Sequence, residues 1–479
     1  MRRTKIVATL GPATDSARQL DGLINVGVDV VRVNFSHGTA DDHRKRVKLV
    51  RERAAEQGRC VGILGDLQGP KIRVAKFAEG EVQLQNGHEF VLDASLADKA
   101  GTKESVGITY KALPQEVREG NVLVLDDGRI VLKVKSVDGD KIVTRVKTGG
   151  KLSNNKGINL RGGGLTAPAL TDKDRQDVKL AAEIGVDYLA VSFPRDASDI
   201  EEAKQLLKAA GSEAGVCAKI ERAEALDNID AILEVSDAIM VARGDLGVEI
   251  GDAELPAVQK RLISQARSAN KVVITATQMM ESMISNPIPT RAEVFDVANA
   301  VIDGTDAVML SAETATGQFP VPAVQAMGDI CEKAELHASA LRSRHRIDDT
   351  FHRIDESIAM GAMYVANHLH VRAIAAFTES GSTALWMSRI SSGIPIYALT
   401  RHESTRSKVT LYRGVQPVTM NEFYENHHTA NCKAVELMVS EGIVEPGDRV
   451  IVTKGNLAGV GGGTSMLEVV EVSKILESL

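Results

Sequence analysis

Short β-branched runs and longer stretches of helical spacing alternate along the first seventy residues. KIVATLG predicts a strand, SARQLDGLINVG an amphipathic helix ended by Gly27, and DVVRVNFSH a second strand. ADDHRKRVKLVRERAAEQG predicts a helix ended by Gly58, and CVGILGD a third strand. Strands that are apolar throughout and separated by helices predict a parallel sheet covered on both faces. From about Val74 to Ala167 the helical spacing disappears. EVQLQNGHEFVL and NVLVLDDGRIVLKVKSVDGDKIVTRVKTGG alternate apolar and polar residues, and Asn-Gly, Asp-Gly and Asp-Gly-Asp predict hairpins of an inserted all-β unit.

The α/β rhythm resumes at LTDKDRQDVKLAAEIG, where Thr171 is placed to cap a helix. Five more strands follow: DYLAVSF, GVCAKIE, DAIMVARGD, KVVITATQ and DAVMLSAE. Eight strand–helix units are the number that closes a (β/α)8 TIM barrel. The rival, an open doubly wound sheet, usually carries a glycine fingerprint after its first strand, and LGPATDS is not one. From about Asp348 a smaller α/β region begins, with RAIAAFT, PIYALT, RGVQPV and DRVIVTKG as strands.

Composition narrows the class. With 479 residues, 43% hydrophobic and 25% charged, the chain has the make-up of a soluble globular protein of several domains. A net charge of −7 with interspersed signs argues against a nucleic-acid binder. No run approaches the roughly 20 apolar residues of a membrane span, and MRRTKIVATLGPATDS is too soon interrupted for a signal peptide. Cys60, Cys217, Cys331 and Cys432 lie far apart with no CxxC pair, as expected of buried thiols in a reducing, cytoplasmic setting.

Barrel enzymes carry their chemistry where strands run into the following loops. Six of the predicted strands end on charged or hydroxyl residues: Arg32, Asn34, Ser36 and His37; Asp66, then Lys71 and Arg73; Lys219 and Glu221; Arg243 and Asp245 around Gly244; Thr277 and Gln278; Ser311 and Glu313. One such residue is an ordinary loop residue, but a barrel aims all six groups at one volume. Glu221 and Asp245, from neighbouring strands, suit a hard divalent cation such as Mg2+, although Arg222 or Arg243 offers either acid an ion pair instead. Arg32, Arg73, Arg243 and Lys219 add the cations that a transferring phosphoryl group requires. In VARGDLG, glycine after the strand and the free N–H groups of a short helix offer a carboxylate site. Thr277 is placed to relay a proton. Met279, Met280 and Met283 are expected to pack in the core.

VRVNFSHG, GDLQGPKIR, AKIER, VARGDLGVE, TATQMMESMI and PTRAEVFDVANAVIDGTDAVMLSAETA, in this order and with the inserted β-unit, resemble the pyruvate kinases of bacterial type over nearly the whole chain. The resemblance implies a barrel at 1–70 and 168–346, an inserted β-barrel lid at 71–167 and a C-terminal α/β effector-binding domain at 347–479. It implies phosphoryl transfer from phosphoenolpyruvate to ADP, giving pyruvate and ATP. Lys219 would stabilise the phosphoryl group, with Arg32 and Arg73 on phosphate. Glu221 and Asp245 would hold Mg2+, with Mn2+ as its substitute. The amides around Ala242, Arg243 and Gly244, with Asp245 and Thr277, would hold the substrate. Ser311 or Glu313 would join Thr277 in the proton path. Arg32, Asn34, His37, Asp127 and Lys156 would contact nucleotide. A cytoplasmic homotetramer is implied.

In TESGSTALW, residues Thr378, Ser380, Gly381, Ser382 and Thr383 form a candidate phosphate cradle for an effector. The late loop NLAGVGGGTSM has no arginine for a second phosphate, so a hexose monophosphate such as glucose 6-phosphate is expected, with AMP the lesser option. The competing readings are a barrel lyase or mutase acting on phosphoenolpyruvate or pyruvate enolates, and a non-catalytic sugar-phosphate sensor. One departure from the common family motif stands out. Leu67 replaces a threonine and Lys71 a glutamate beside groups that in many relatives hold K+. The ammonium of Lys71 is therefore expected near Asn34, Ser36 and Asp66 as an internal cation, with no K+ requirement.

Overall fold

The computed structural model describes residues 1–341, 350–421, 426–455 and 463–477. Eight parallel strands close into a barrel: β1 Lys5–Thr9, β2 Val30–Asn34, β3 Gly62–Asp66, β4 Tyr188–Val191, β5 Gly215–Ile220, β6 Ala238–Ala242, β7 Val272–Ala276 and β8 Ala307–Leu310. Val7, Leu64, Tyr188, Cys217, Met240 and Met309 fill its interior, while their neighbours Ile6, Ile63, Leu189, Val216, Ile239 and Val308 pack on the outer helices. That alternation is the period-two geometry of a strand buried on both faces. Thr171 caps the helix Asp172–Glu183, accepting from the Asp174 N–H, as its sequence context predicts. Met279, Met280 and Met283 are fully buried. Met279 and Met280 lead into a single 3-10 turn at Glu281–Ile284, which contains Met283.

The barrel floor repeats one device. Each even-numbered strand is preceded by an aspartate whose carboxylate accepts the first free N–H of the odd strand before it. The pairs are Asp29 with Ile6 at 2.9 Å, Asp187 with Ile63 at 2.7 Å, Asp237 with Val216 at 2.8 Å and Asp306 with Val273 at 2.9 Å. These bonds satisfy backbone donors that the staggered ladder leaves over. Asp306 also pairs with the Arg389 guanidinium and accepts from the Arg413 N–H at 3.2 Å, so it ties the C-terminal domain to the floor.

The inserted unit contains a six-stranded sheet in the order Ile158–Leu160, Val122–Leu125, Ile130–Asp138, Lys141–Thr148, Glu89–Asp93, Ser105–Gly107, and a two-stranded ribbon of Glu81–Leu84 with Gly150–Ser153. Residues 72–77 span the gap between the first and last strands of this sheet: the Ile158 N–H donates to the Ile72 carbonyl at 2.8 Å and the Ala75 N–H to the Gly107 carbonyl at 2.7 Å, with bridges Arg73–Gly157 and Val74–Ile108. Asn86-Gly87 does not close a simple hairpin. The strand before it pairs with Gly150–Ser153 and the strand after it with Lys141–Thr148. Asp127-Gly128 and Asp138-Gly139-Asp140 do join paired strands. In the C-terminal domain four parallel strands follow the order Val415–Thr419, Ile396–Thr400, Ala373–Phe377, Arg449–Gly455. A fifth, Thr464–Glu471, runs antiparallel at the edge and was not expected from the sequence pattern. The expected division at 346/347 falls outside the described residues.

Lid and barrel meet at Glu249, which lies on the barrel side. The Gly162 N–H donates to the Glu249 carbonyl at 3.0 Å, and the Glu249 carboxylate accepts from the Ala223 N–H at 2.9 Å. Burial pushes the Glu249 carboxyl up to about 7; the Ala223 N–H opposes this, the Glu224 charge adds to it and Arg222 opposes it.

Two stability predictions follow. Asp306→Asn leaves Arg389 buried without its counter-charge and should cost about 3 kcal/mol, read as a lower urea midpoint; an unchanged midpoint contradicts this role. Between pH 4.5 and about 7 the folded chain holds the Glu249 proton that the unfolded chain releases, so stability falls as pH rises through that window. Glu249→Gln should therefore match the parent near pH 4.5 and exceed it above pH 7, by on the order of 3 kcal/mol at most. A difference independent of pH contradicts the assignment.

Candidate active site

Asp66, the last residue of β3, has no exposed surface. Its carboxylate accepts from Arg32 Nε at 2.6 Å and lies 3.2 Å from Lys219 Nζ. Lys219, from β5, also reaches Glu221 Oε1 at 3.1 Å and donates to Ser192 Oγ at 2.6 Å. Four charges of alternating sign thus run Arg32, Asp66, Lys219, Glu221 across the mouth of the barrel. Burial pushes the Lys219 ammonium down, but Asp66 and Glu221 outweigh it and hold the pKa above the ordinary lysine value. Burial pushes Asp66 up, and Lys219 and Arg32 overcome it to hold that acid low. Glu221 is held high: burial raises it, Lys219 opposes, and the Asp245 and Asp66 charges add to the rise. Its other oxygen accepts from the Phe193 N–H at 2.9 Å, at a residue with a left-handed φ of 57°.

A second pole lies where β6 and β7 end. The helix Arg243–Ile250 starts directly at the end of β6, and the Gly244 N–H donates to Thr277 Oγ1 at 2.8 Å. Thr277 and Gln278 have φ of 67° and 53°, a conformation costly for a β-branched residue. Arg243 holds it in place. Its guanidinium donates to the Thr277 carbonyl at 2.7 and 3.1 Å and to the Gln278 carbonyl at 3.1 Å, and it pairs with Asp296 at 2.7 Å. The Arg243 guanidinium is therefore not one of the phosphate-facing cations expected from the sequence; its donors are used on the loop. Glu313 is likewise a brace. Its carboxylate accepts from the Ser311 N–H at 2.7 Å and the Met280 N–H at 3.2 Å, tying the loops after β7 and β8 together.

Lys71 is not near Asn34, Ser36 and Asp66, where the sequence places it. Its ammonium donates to both oxygens of Asp245, at 2.9 and 3.2 Å. Asp66 is already matched by Arg32 and Lys219, whereas the Asp245 carboxylate faces the lid stem, so charge draws Lys71 there. Arg73 donates to the Asn155 carbonyl at 2.9 Å, within the lid stem and not in the phosphate volume. Lys156 pairs with Asp126 at 2.7 Å, one residue before the expected Asp127, which is exposed. Asn34 Oδ1 accepts from the Ser36 N–H at 3.0 Å, and His37 is exposed beside them.

A divalent cation fits Glu221 and Asp245. They offer hard carboxylate oxygens, the Asp245 charge helps to hold the Glu221 carboxyl high, and each is matched by an ammonium, Lys219 and Lys71. Among the described residues no group of three or more His, Cys, Asp or Glu side chains forms a metal cage, so water and substrate oxygens would complete the shell.

The family described as pyruvate kinase, barrel domain, matches residues 1–324, and that described as pyruvate kinase, alpha/beta domain, matches residues 356–470. A Salmonella typhimurium protein named pyruvate kinase II is 56% identical over 98% of this chain and 99% of its own length. A Haemophilus influenzae pyruvate kinase is 56% identical over 95% of this chain and 96% of its own length. A Bacillus licheniformis pyruvate kinase is 42% identical over 99% of this chain and 81% of its own length. The chain belongs to the pyruvate kinase family.

Membership of the pyruvate kinases makes the chain a phosphotransferase and leaves the lyase, mutase and non-catalytic readings without support. Within that family frame, two strand ends that looked silent in sequence are occupied. Thr9, ending β1, accepts from Arg32 Nη1 at 3.1 Å and donates to the Leu310 carbonyl at 2.8 Å. Ser192, just past β4, accepts from Lys219 and donates to the Leu67 carbonyl at 2.8 Å. Both are short hydroxyls at strand ends, a signal that charged neighbours overshadow. In the C-terminal domain the Gly381 N–H donates to Thr378 Oγ1 at 2.9 Å, and Ser380 donates to Ser382 Oγ at 3.2 Å. Thr383 turns inward to Thr464 at 2.6 Å and leaves that cluster. Residues 456–462 of the late glycine-rich loop lie outside the described residues.

Ser192→Ala removes the neutral acceptor that aims Lys219. The expected result is a fall in kcat of about tenfold to a hundredfold with little change in KM for phosphoenolpyruvate. Unchanged kcat contradicts the positioning role.

Proposed function

We propose that the chain is a cytoplasmic enzyme that transfers the phosphoryl group of phosphoenolpyruvate to ADP, giving pyruvate and ATP. The observation that carries this reading is the buried Lys219 ammonium, held between Asp66 and Glu221 with Arg32 alongside. The raised Lys219 pKa keeps the group cationic at neutral pH, so Lys219 and Arg32 spread the negative charge of the phosphoryl group as it passes to the terminal phosphate oxygen of ADP. The amides following Ala242, with Thr277, orient the substrate carboxylate at the helix start. The enolate left behind takes its proton at the methylene carbon from the Thr277 side, with Ser311 and Glu313 holding that loop. When bound, a divalent cation, Mg2+ or in its place Mn2+, supplies charge neutralisation, and Glu221 and Asp245 are the residues that would hold it. Asp127 and Lys156 on the lid, with Arg32, Asn34 and His37, are assigned to nucleotide, and the lid excludes water.

The working division is a barrel at 1–70 and 168–346, a lid at 71–167 and an effector domain at 347–479. Exposed Ile288 and Phe295, at 73% and 71%, support burial in a homotetramer. Leu67 is buried and brings no oxygen, which supports turnover without K+; Lys71, held on Asp245 in this structure, would supply a cation there only on leaving that carboxylate. The hydroxyls of Thr378, Ser380 and Ser382 around Gly381 support an activating sugar monophosphate, glucose 6-phosphate before AMP.

In a lactate-dehydrogenase-coupled assay, pyruvate should form only with ADP, phosphoenolpyruvate and Mg2+ together. Turnover should persist in buffer free of K+ and NH4+. No ADP-dependent pyruvate contradicts the reaction; a large loss restored by K+ contradicts the internal cation alone. Glucose 6-phosphate should lower half-saturation for phosphoenolpyruvate more than fructose 1,6-bisphosphate does, and the reverse order contradicts the monophosphate assignment.

A further inference from the structure

Lys71 stands in the stem that leads from β3 into the lid, and both its hydrogen bonds go to Asp245, on the helix that begins at the end of β6. Asp245 is one of the two carboxylates assigned to the divalent cation. The ammonium lies 2.9 Å from Oδ1 and 3.2 Å from Oδ2, so it covers both oxygens. The pair is part-buried, with side-chain exposures of 24% and 19%, so water screens it only partly. Glu221, the partner carboxylate, is matched by Lys219 at 3.1 Å. Two lysines therefore neutralise the two metal-binding acids, but they differ in freedom. Lys219 is anchored from the barrel wall by Asp66 and Ser192 as well. Among the described residues Lys71 pairs with Asp245 alone, and the backbone on its far side enters the lid through the isolated bridge of Arg73 with Gly157.

We propose that Lys71 is a placeholder on the metal site. In the ligand-free protein it occupies Asp245, a divalent cation must displace it to use that carboxylate, and the displacement releases the lid stem. This rests on the assignment of Glu221 and Asp245 as the metal-holding pair. One ammonium spans both Asp245 oxygens, whereas the two cations on Asp66 take separate oxygens; a metal on either Asp245 oxygen would meet Lys71 at contact distance and repel it, so occupancy of Asp245 by metal and by Lys71 is exclusive. The consequence is coupling. Metal binding costs the free energy of breaking the Lys71–Asp245 pair, and metal-free protein keeps its lid stem pinned to the barrel. The same side chain is available to act as the internal cation of the loaded site only after metal arrives, which orders the two events.

The test is Mn2+ binding to the protein alone, without substrate, read by electron paramagnetic resonance of free Mn2+. Lys71→Met should bind Mn2+ about five- to tenfold more tightly than the parent; a gain of affinity is not a consequence of misfolding. Lys71→Arg keeps the charge and offers a fork to the carboxylate, so it should bind no more tightly than the parent. A crystal structure of the parent with Mn2+ should show Lys71 Nζ beyond hydrogen-bond reach of Asp245. Unchanged or weaker Mn2+ binding by Lys71→Met, or Lys71 still on Asp245 in the Mn2+ complex, overturns the placeholder. Asp245→Asn should lose most Mn2+ affinity. If it does not, the metal assignment fails, a result distinct from failure of the placeholder itself.

Discussion

The contact between Asp66 and Lys219 governs the rest of the site. A carboxylate with no exposed surface is tolerated only when its charge is matched. Arg32 and Lys219 do this from β2 and β5, on either side of the strand pair β3 and β4. The match fixes both cations at once and aims their remaining hydrogens into the barrel mouth. Lys219 in turn neutralises Glu221, so removal of any one member leaves a buried charge unbalanced. Ser192 and Thr9 complete the shell as neutral partners, adding direction without altering the charge count.

At the opposite pole the constraint is backbone strain. A threonine in the left-handed region does not stay there unaided. Arg243 reaches across from β6 to hold the carbonyls of Thr277 and Gln278, anchored by Asp296. The result keeps the Thr277 hydroxyl against the Gly244 amide, at the start of a helix whose free N–H groups favour an anion. The pole proposed for the phosphoryl group is thus built from buried charge and the pole proposed for the substrate carboxylate from backbone, and the two meet at Glu221 and Asp245. Below them the four aspartates of the floor keep the strands in register, and Asp306 carries that register into the C-terminal domain through Arg389.

Much of this was legible in the chain. The eight barrel strands show as continuous apolar runs because burial on both faces removes polar residues, and their polar ends name most of the site. The rest was hidden for particular reasons. Arg243 looks like a phosphate ligand in VARGD, but its length lets it reach Asp296, a partner far along the chain. Ser192 is one hydroxyl among apolar residues and carries no charge to draw notice. Lys71 was expected beside Asp66 because the motif places them together; pattern does not show that Asp66 is already neutralised and that Asp245 has the unmatched charge. The antiparallel strand Thr464–Glu471 is an edge strand with exposed Glu468 and half-buried Glu471, which weaken its apolar signature.

If charge at Lys219 and geometry at Thr277 are separate devices, the two halves of the reaction should separate as well. The direct measurement is exchange of the pyruvate methyl hydrogens with D2O by Lys219→Met, beside its rate of phosphoryl transfer. The account predicts that transfer falls by about a thousandfold or more while methyl exchange stays within about tenfold of the parent. Equal loss of both would contradict it, because the cation at the centre of the buried charge chain would then serve the proton as much as the phosphoryl group.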